Sequence, residues 1–182
     1  MRTIVDFNSS RSNPNPNPNP NSNRTNAGNN KDLVNWNVVD DVVMGGQSKG
    51  SFGINEEGNG VFKGQVSLAN NGGFSSVKYR LDQLETKGFS KLVLCIKGDG
   101  KSYQFRVKNQ SADRHSFVTT YTTNKEWETI TIDLFELAPA FRGNKLDLPN
   151  YKGEGFEELA LLIANRKEEH FKMEISAIYL KA

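Results

Sequence analysis

The chain has 182 residues, with 23 basic and 21 acidic side chains and a formal charge of +2. That length supports one domain with a real hydrophobic core, and the near balance of signs gives no field strong enough to favour nucleic acid or an anionic membrane surface. The start, Met1 to Phe7, shows neither an uninterrupted apolar signal core nor an Arg-rich transit helix, and no stretch is long and apolar enough to span a bilayer, so the expected setting is cytoplasmic.

In chain order, Thr3 to Phe7 reads as a short first strand. The composition then changes abruptly from Asn8 to Asp32, where four of the six prolines alternate with asparagine and no aliphatic side chain exceeds Ala27. Such a stretch cannot bury enough apolar area to offset its ordering entropy, so residues 8–32 are expected to be a disordered insert, dispensable for folding. Beyond it, apolar residues recur at period two between Gly, Asn and Asp turns. Gly50 to Ile54 and Val61 to Val66 flank a hairpin turn at Glu57-Gly58-Asn59-Gly60, and Phe74 to Tyr79 follows the Gly72-Gly73 break. Lys91 to Lys97 carries the single cysteine, Cys95, in an apolar run that suggests a core thiol. In Ser102 to Lys108, Tyr103, Phe105 and Val107 alternate with Gln104, Arg106 and Lys108, one buried face against one wet face. Ser116 to Thr122, Trp127 to Leu134, Leu159 to Ala164 and Phe171 to Leu180 complete the strands, with short helical pieces expected near Leu81 to Lys87 and Phe135 to Ala138. This pattern predicts a single all-β domain over residues 1–182, a jelly-roll sandwich of two antiparallel sheets.

Enzymatic signatures are missing from the sequence. His115 and His170 each sit beside charged residues and read as solvated surface groups, and no HExxH, GxSxG or CxxC spacing occurs. Gly100-Lys101-Ser102 resembles the end of a phosphate loop, but Cys95 stands where its first glycine is required and a strand stands where its helix would begin. Asn8-Ser9-Ser10, Asn23-Arg24-Thr25 and Asn109-Gln110-Ser111 fit a glycosylation acceptor without an export signal. No catalytic residue, cofactor or metal is therefore assigned, and the chain is expected to work by binding.

Two clusters remain. The first runs from Trp36 through Asp40, Asp41, Met44, Gly45 and Gly46 to Ser48. In an extended segment its two carboxylates point to opposite sides, so they cannot form a glycosidase acid/base pair. One of them either ligates a cation or satisfies backbone amides at the turn into the glycines. Gly45, Gly46, Gly72 and Gly73 are expected where the backbone needs positive φ or close approach. The second cluster is Pro139-Ala140-Phe141-Arg142-Gly143, where an aromatic beside an arginine can anchor a protein partner. Alternatively, Arg142 pairs with Asp40 or Asp41 while Phe141 caps the sandwich. The candidate binding surface thus comprises Asp40, Asp41, Met44, Gly45, Gly46, Ser48, Gly72, Gly73, Phe74, Phe141 and Arg142.

Taken in order, Trp36, Asp40-Asp41, Met44-Gly45-Gly46, Ser48, Phe62-Lys63-Gly64, Gly72-Gly73-Phe74-Ser75-Ser76, Gly98-Asp99-Gly100, Tyr103, Trp127 and Pro139-Ala140-Phe141-Arg142-Gly143 resemble the complex I intermediate-associated protein 30 family. The resemblance implies a galactose-binding-like jelly roll. It also implies a non-enzymatic role in assembling NADH:ubiquinone oxidoreductase, with protein subunits of that respiratory complex as partners. The chain departs from the mitochondrial members in showing no presequence and in carrying the Asn/Pro insert. The alternative reading is a carbohydrate-binding module, which requires an exposed aromatic platform. Only Trp36 and Trp127 could supply an indole, and both lie in motifs that read as core.

Overall fold

The computed structural model describes residues 1–8 and 33–182, so the expected insert lies outside the described residues apart from Asn8. Among the described residues thirteen strands form two sheets. They are β1 (Arg2–Asp6), β2 (Trp36–Asp40), β3 (Lys49–Ile54), β4 (Gly60–Val66), β5 (Ser75–Leu84), β6 (Lys91–Lys97), β7 (Ser102–Lys108), β8 (Ser116–Thr122), β9 (Trp127–Asp133), β10 (Ala138–Phe141), β11 (Asn144–Lys145), β12 (Phe156–Ile163) and β13 (Glu169–Lys181). The smaller sheet has the order β3-β4-β13-β6-β9, with β1 also on β13, and the larger has β11-β10-β8-β7-β12-β5-β2. All pairings are antiparallel. The chain is thus a β-sandwich of the jelly-roll kind.

Period two decides which side chains meet between the sheets. On β7, Tyr103, Phe105 and Val107 point inward; Tyr103 and Val107 lie across from Tyr121 and Phe117 of β8, and Phe105 and Val107 across from Leu161 and Leu159 of β12. The central strand β12 sends Leu159, Leu161 and Ile163 into the core, opposite Phe62, Leu92, Leu94, Ile96, Met173, Ile175 and Ile178 of the smaller sheet. Long β13 is flanked by β6 on one side and, on the other, successively by β4 and β1, with a bulge between Ile175 and Ala177 that lets one neighbour give way to the next. The chain therefore leaves the smaller sheet after Phe7, whose N–H donates to Ser176 O (2.9 Å), and enters the larger one at Trp36. Trp36 packs against Phe52 (4.3 Å between centroids) and Tyr79 (4.8 Å), so β2 is locked to both sheets.

Several expectations are corrected. In place of a helix near Leu81 to Lys87, β5 continues to Leu84, which pairs with Phe156 and is buried. The second expected helix is a single 3-10 turn, Leu134–Glu136, that Asp133 caps by accepting from Phe135 N (3.0 Å); β10 follows at once. Cys95 is not a core thiol. Leu92, Leu94 and Ile96 take the inward positions of β6 and leave Cys95 half-buried on its outer face.

Candidate functional site

β2 ends in a 3-10 turn over Asp41–Met44, and Asp41 at its start is fully buried. Its Oδ1 accepts from Ser48 N (2.9 Å). Its Oδ2 accepts from Ser48 Oγ (2.5 Å), Gly73 N (2.6 Å) and Phe74 N (3.2 Å). Two loops far apart in sequence, 41–48 and 72–74, are therefore clasped by one carboxylate. Burial pushes this carboxyl up, but the Ser48 hydroxyl and the Gly73, Ser48 and Phe74 amides outweigh it and hold the group below the usual carboxylate range. Three of these four hydrogen bonds come from backbone amides, so Asp41 takes the second of its two expected roles and satisfies backbone amides. Asp40, on the other side of the chain, accepts from Gly50 N (2.8 Å) and Ser75 Oγ (2.5 Å), tying β2 to β3 and β5.

The four glycines serve this clasp in two ways. Gly45 and Gly73 have φ of +89° and +137°, values that favour glycine. At Gly46 an added Cβ would overlap the Asp41 carboxylate, and at Gly72 it would come within 2.6 Å of Oδ2. The turn they hold presents Val42, Val43 and Met44 to solvent at 59, 76 and 62% exposure. Leu68, 42% exposed, lies in the neighbouring turn, which Asn70 ties to Gly45 O through its side-chain amide (3.1 Å). Of this apolar crest the sequence reading found only Met44. The signal for the others was three consecutive apolar residues between Asp41 and a glycine pair, which a half-buried strand could not alternate.

Phe141 and Arg142 do not join this surface. Asp40 lies on β2, one edge of the larger sheet, at the end where Ser75 pairs with Ile163; Phe141 lies on β10, near the other edge. The β8–β10 register runs from Ala138 opposite Val118 to Ala140 opposite Ser116, which carries Phe141 to the far end of the sheet beside His115. The two clusters thus occupy diagonally opposite corners, separated by five strand spacings of about 4.8 Å. Arg142 is exposed, with φ of +50°, and its guanidinium lies 5.3 Å from the Phe141 ring centre, as does that of Arg114. The expected pairing of Arg142 with Asp40 or Asp41 does not form, because Asp41 is already saturated by nearer donors.

The two indoles also part company. Trp36 is core, whereas Trp127 is 44% exposed on the outer face of β9. It lines a shallow depression of about 620 Å³ with Glu56, Glu57, Asn59, Glu128 and Cys95. The chain places β9 at the edge of its sheet, so the inward positions Ile130 and Ile132 complete the packing without the indole.

The family model described as Complex I intermediate-associated protein 30 matches residues 25–175. The chain belongs to this family. In the Complex I intermediate-associated protein 30 sequence pattern, the matched region spans both halves of the Asp41 clasp and the Phe141 corner. No curated protein matches the chain. Among solved structures, a family 11 carbohydrate-binding module from Clostridium thermocellum, in complex with a β-1,3-1,4-mixed-linked tetrasaccharide, is similar at 18% identity with a TM-score of 0.61, covering 81% of this chain and 88% of that one. The same kind of module from the cellulosomal cellulase Lic26A-Cel5E of Clostridium thermocellum matches at 18% identity and a TM-score of 0.62, covering 82 and 89%. An exo-β-agarase matches at 8% identity and a TM-score of 0.53, covering 100% of this chain and 25% of that one. At such identities the similarity shows the fold alone.

Proposed function

We propose that the chain is a non-enzymatic protein-binding factor that assists assembly of a respiratory NADH:ubiquinone oxidoreductase-type complex, docking partly built subunits through the Val42-Val43-Met44 crest. The observation that carries this reading is the exposure of three consecutive apolar side chains on a turn fixed from beneath by Asp41. Single exposed apolar residues are ordinary, but a contiguous apolar cluster is a feature of interaction sites. Because the turn is already ordered, docking costs little further conformational entropy. Membership of a family named for complex I intermediates supports the class of partner. The test is affinity isolation of the tagged chain from its own cells beside Val43→Asp and Met44→Asp. Wild type should recover respiratory subunits, and each variant should weaken recovery by about 2 kcal/mol in binding, with unchanged melting. Full recovery by both folded variants, or none by wild type, would refute the reading.

The exposed Trp127 favours a second reading, a carbohydrate-binding module. An indole face beside carboxylate and amide groups is the kind of platform a pyranose ring uses, and the carbohydrate-binding modules above share the fold. Against it, the central row on the outer face of the larger sheet carries no aromatic side chain among the described residues: β5, β12, β7 and β8 meet there through Lys78, Ala160, Arg106 and Val118. Binding on a glycan array that Trp127→Ala abolishes would favour the module.

A further inference from the structure

The outer face of the larger sheet carries a compact group of cations. In one cross-strand row Lys78 of β5, Ala160 of β12 and Arg106 of β7 are partners, and in the next row the partners are Arg80, Glu158 and Lys108. With strands about 4.8 Å apart and alternate residues about 6.7 Å apart, the four basic positions mark a rectangle of roughly 10 by 7 Å. Inside it stand one methyl group and one carboxylate. Glu158 is buried and accepts from Lys78 Nζ (3.1 Å). The other three cations have no carboxylate partner among the described residues. Arg106 is half-buried, and its Nε and Nη2 both donate to Gln104 Oε1 (3.1 and 2.7 Å), a neutral acceptor. Burial pulls its pKa down from the guanidinium value, the direction expected for a desolvated charge without a counter-ion. Lys108 donates to a backbone carbonyl, Asp113 O (2.7 Å). The nearest further acid on β5 is Asp82, next in the alternation beyond Arg80.

Between 9 and 32 there is one acidic side chain, Asp32, against Arg11, Arg24 and Lys31. We propose that this face docks an acidic segment of a partner protein, laid in extended form along β12, with alternate carboxylates meeting Arg80, Arg106 and Lys108. Carboxylates on alternate residues of a strand recur at about the spacing of Arg106 and Lys108. Single-stranded nucleic acid is disfavoured because the alternation puts no aromatic side chain between these cations for a base to stack on. The site is separate from the apolar crest and stands or falls independently of it.

The experiment titrates the full chain into fluorescein-labelled hexaglutamate and follows anisotropy at low salt. Saturable binding that weakens as salt rises is expected, and Arg106→Gln with Lys108→Gln should reduce affinity by about tenfold or more. The control Lys63→Gln with Lys181→Gln removes the same charge from exposed positions of the other sheet and should change affinity by less than about twofold. Equal losses in the two pairs would reduce the effect to net charge and overturn the proposal, as would an absence of saturable binding. Displacement of the peptide by inorganic phosphate, but not by chloride at the same ionic strength, would reassign the face to small oxyanions and overturn it too. Melting of each variant separates a lost contact from a lost fold.

Discussion

Replacing Asp41 by Asn tests whether one carboxylate holds the candidate site together. The substitution keeps shape and removes charge. In its better orientation the new carbonyl takes the place of Oδ2 and still accepts from Ser48 Oγ, Gly73 N and Phe74 N, while the new NH2 faces Ser48 N, which then has no acceptor. Three charge-assisted bonds fall to neutral strength, about 1 kcal/mol each, and one buried donor is left unsatisfied at about 1 to 3 kcal/mol. The expected loss is about 4 to 6 kcal/mol, or roughly 8 to 24 °C in melting temperature for a domain of this size. Acid provides the internal check. Because the folded-state pKa of Asp41 is depressed, its contribution is complete above the unfolded value, about 3.9, and is lost as pH falls through the lower folded value. The gap between wild type and Asp41→Asn should therefore stay constant from pH 7 to about pH 5 and close below about pH 4. Chemical denaturation at pH 7, 5 and 3 measures it. Equal stability at pH 7, or a gap undiminished at pH 3, would refute the clasp.

Two further outcomes follow from the same geometry. Gly72→Ala should destabilise by about 1 to 3 kcal/mol, because its Cβ presses on Asp41 Oδ2, whereas Gly45→Ala has open space and should lose only about 1 kcal/mol from its positive φ; thermal melts giving the reverse order would contradict the packing. Arg142→Ala should change stability by no more than about 0.5 kcal/mol, since the side chain is exposed and, among the described residues, its guanidinium lies only over the Phe141 ring, and a loss of about 3 kcal/mol or more would mean that it does pair with a buried carboxylate.

The sandwich was legible because its evidence is local and repeated. Tyr103, Phe105 and Val107 declare a buried face by their own spacing, and β6, β7 and β8 start and stop where the period-two pattern does. What escaped was the part that depends on position within a sheet. The sequence around Trp127 reads like any core strand, but β9 is an edge strand, and at an edge the outward position stays open. Cys95 shows the same effect: four apolar neighbours suggest burial, and parity alone sends it outward. Leu84 pairs with Phe156 more than seventy positions away, a contact that no window around Leu81 to Lys87 contains.

The candidate site divides along the same line. That Asp41, Ser48, Gly72 and Gly73 belong to special backbone was readable, since paired glycines beside carboxylates and hydroxyls have few other uses. That they form one unit was not, because Ser48 and Gly73 meet at Asp41 only when β5 is paired with β2 and β3, the edge strand of the other sheet, is tied to β2 through Asp40. The same missing geometry made Phe141 and Arg142 look like members of that surface, since an arginine in a loop and an unpaired aspartate in a loop are natural partners until the strand order separates them. Asp41 has no need of a distant guanidinium. Four donors within 3.2 Å already stabilise its charge, and a carboxylate so surrounded gains rigidity for its loops rather than reactivity. That rigidity is what leaves Val42, Val43 and Met44 standing in solvent instead of folding back over the sheet, and it makes the buried charge the physical cause of the exposed apolar crest.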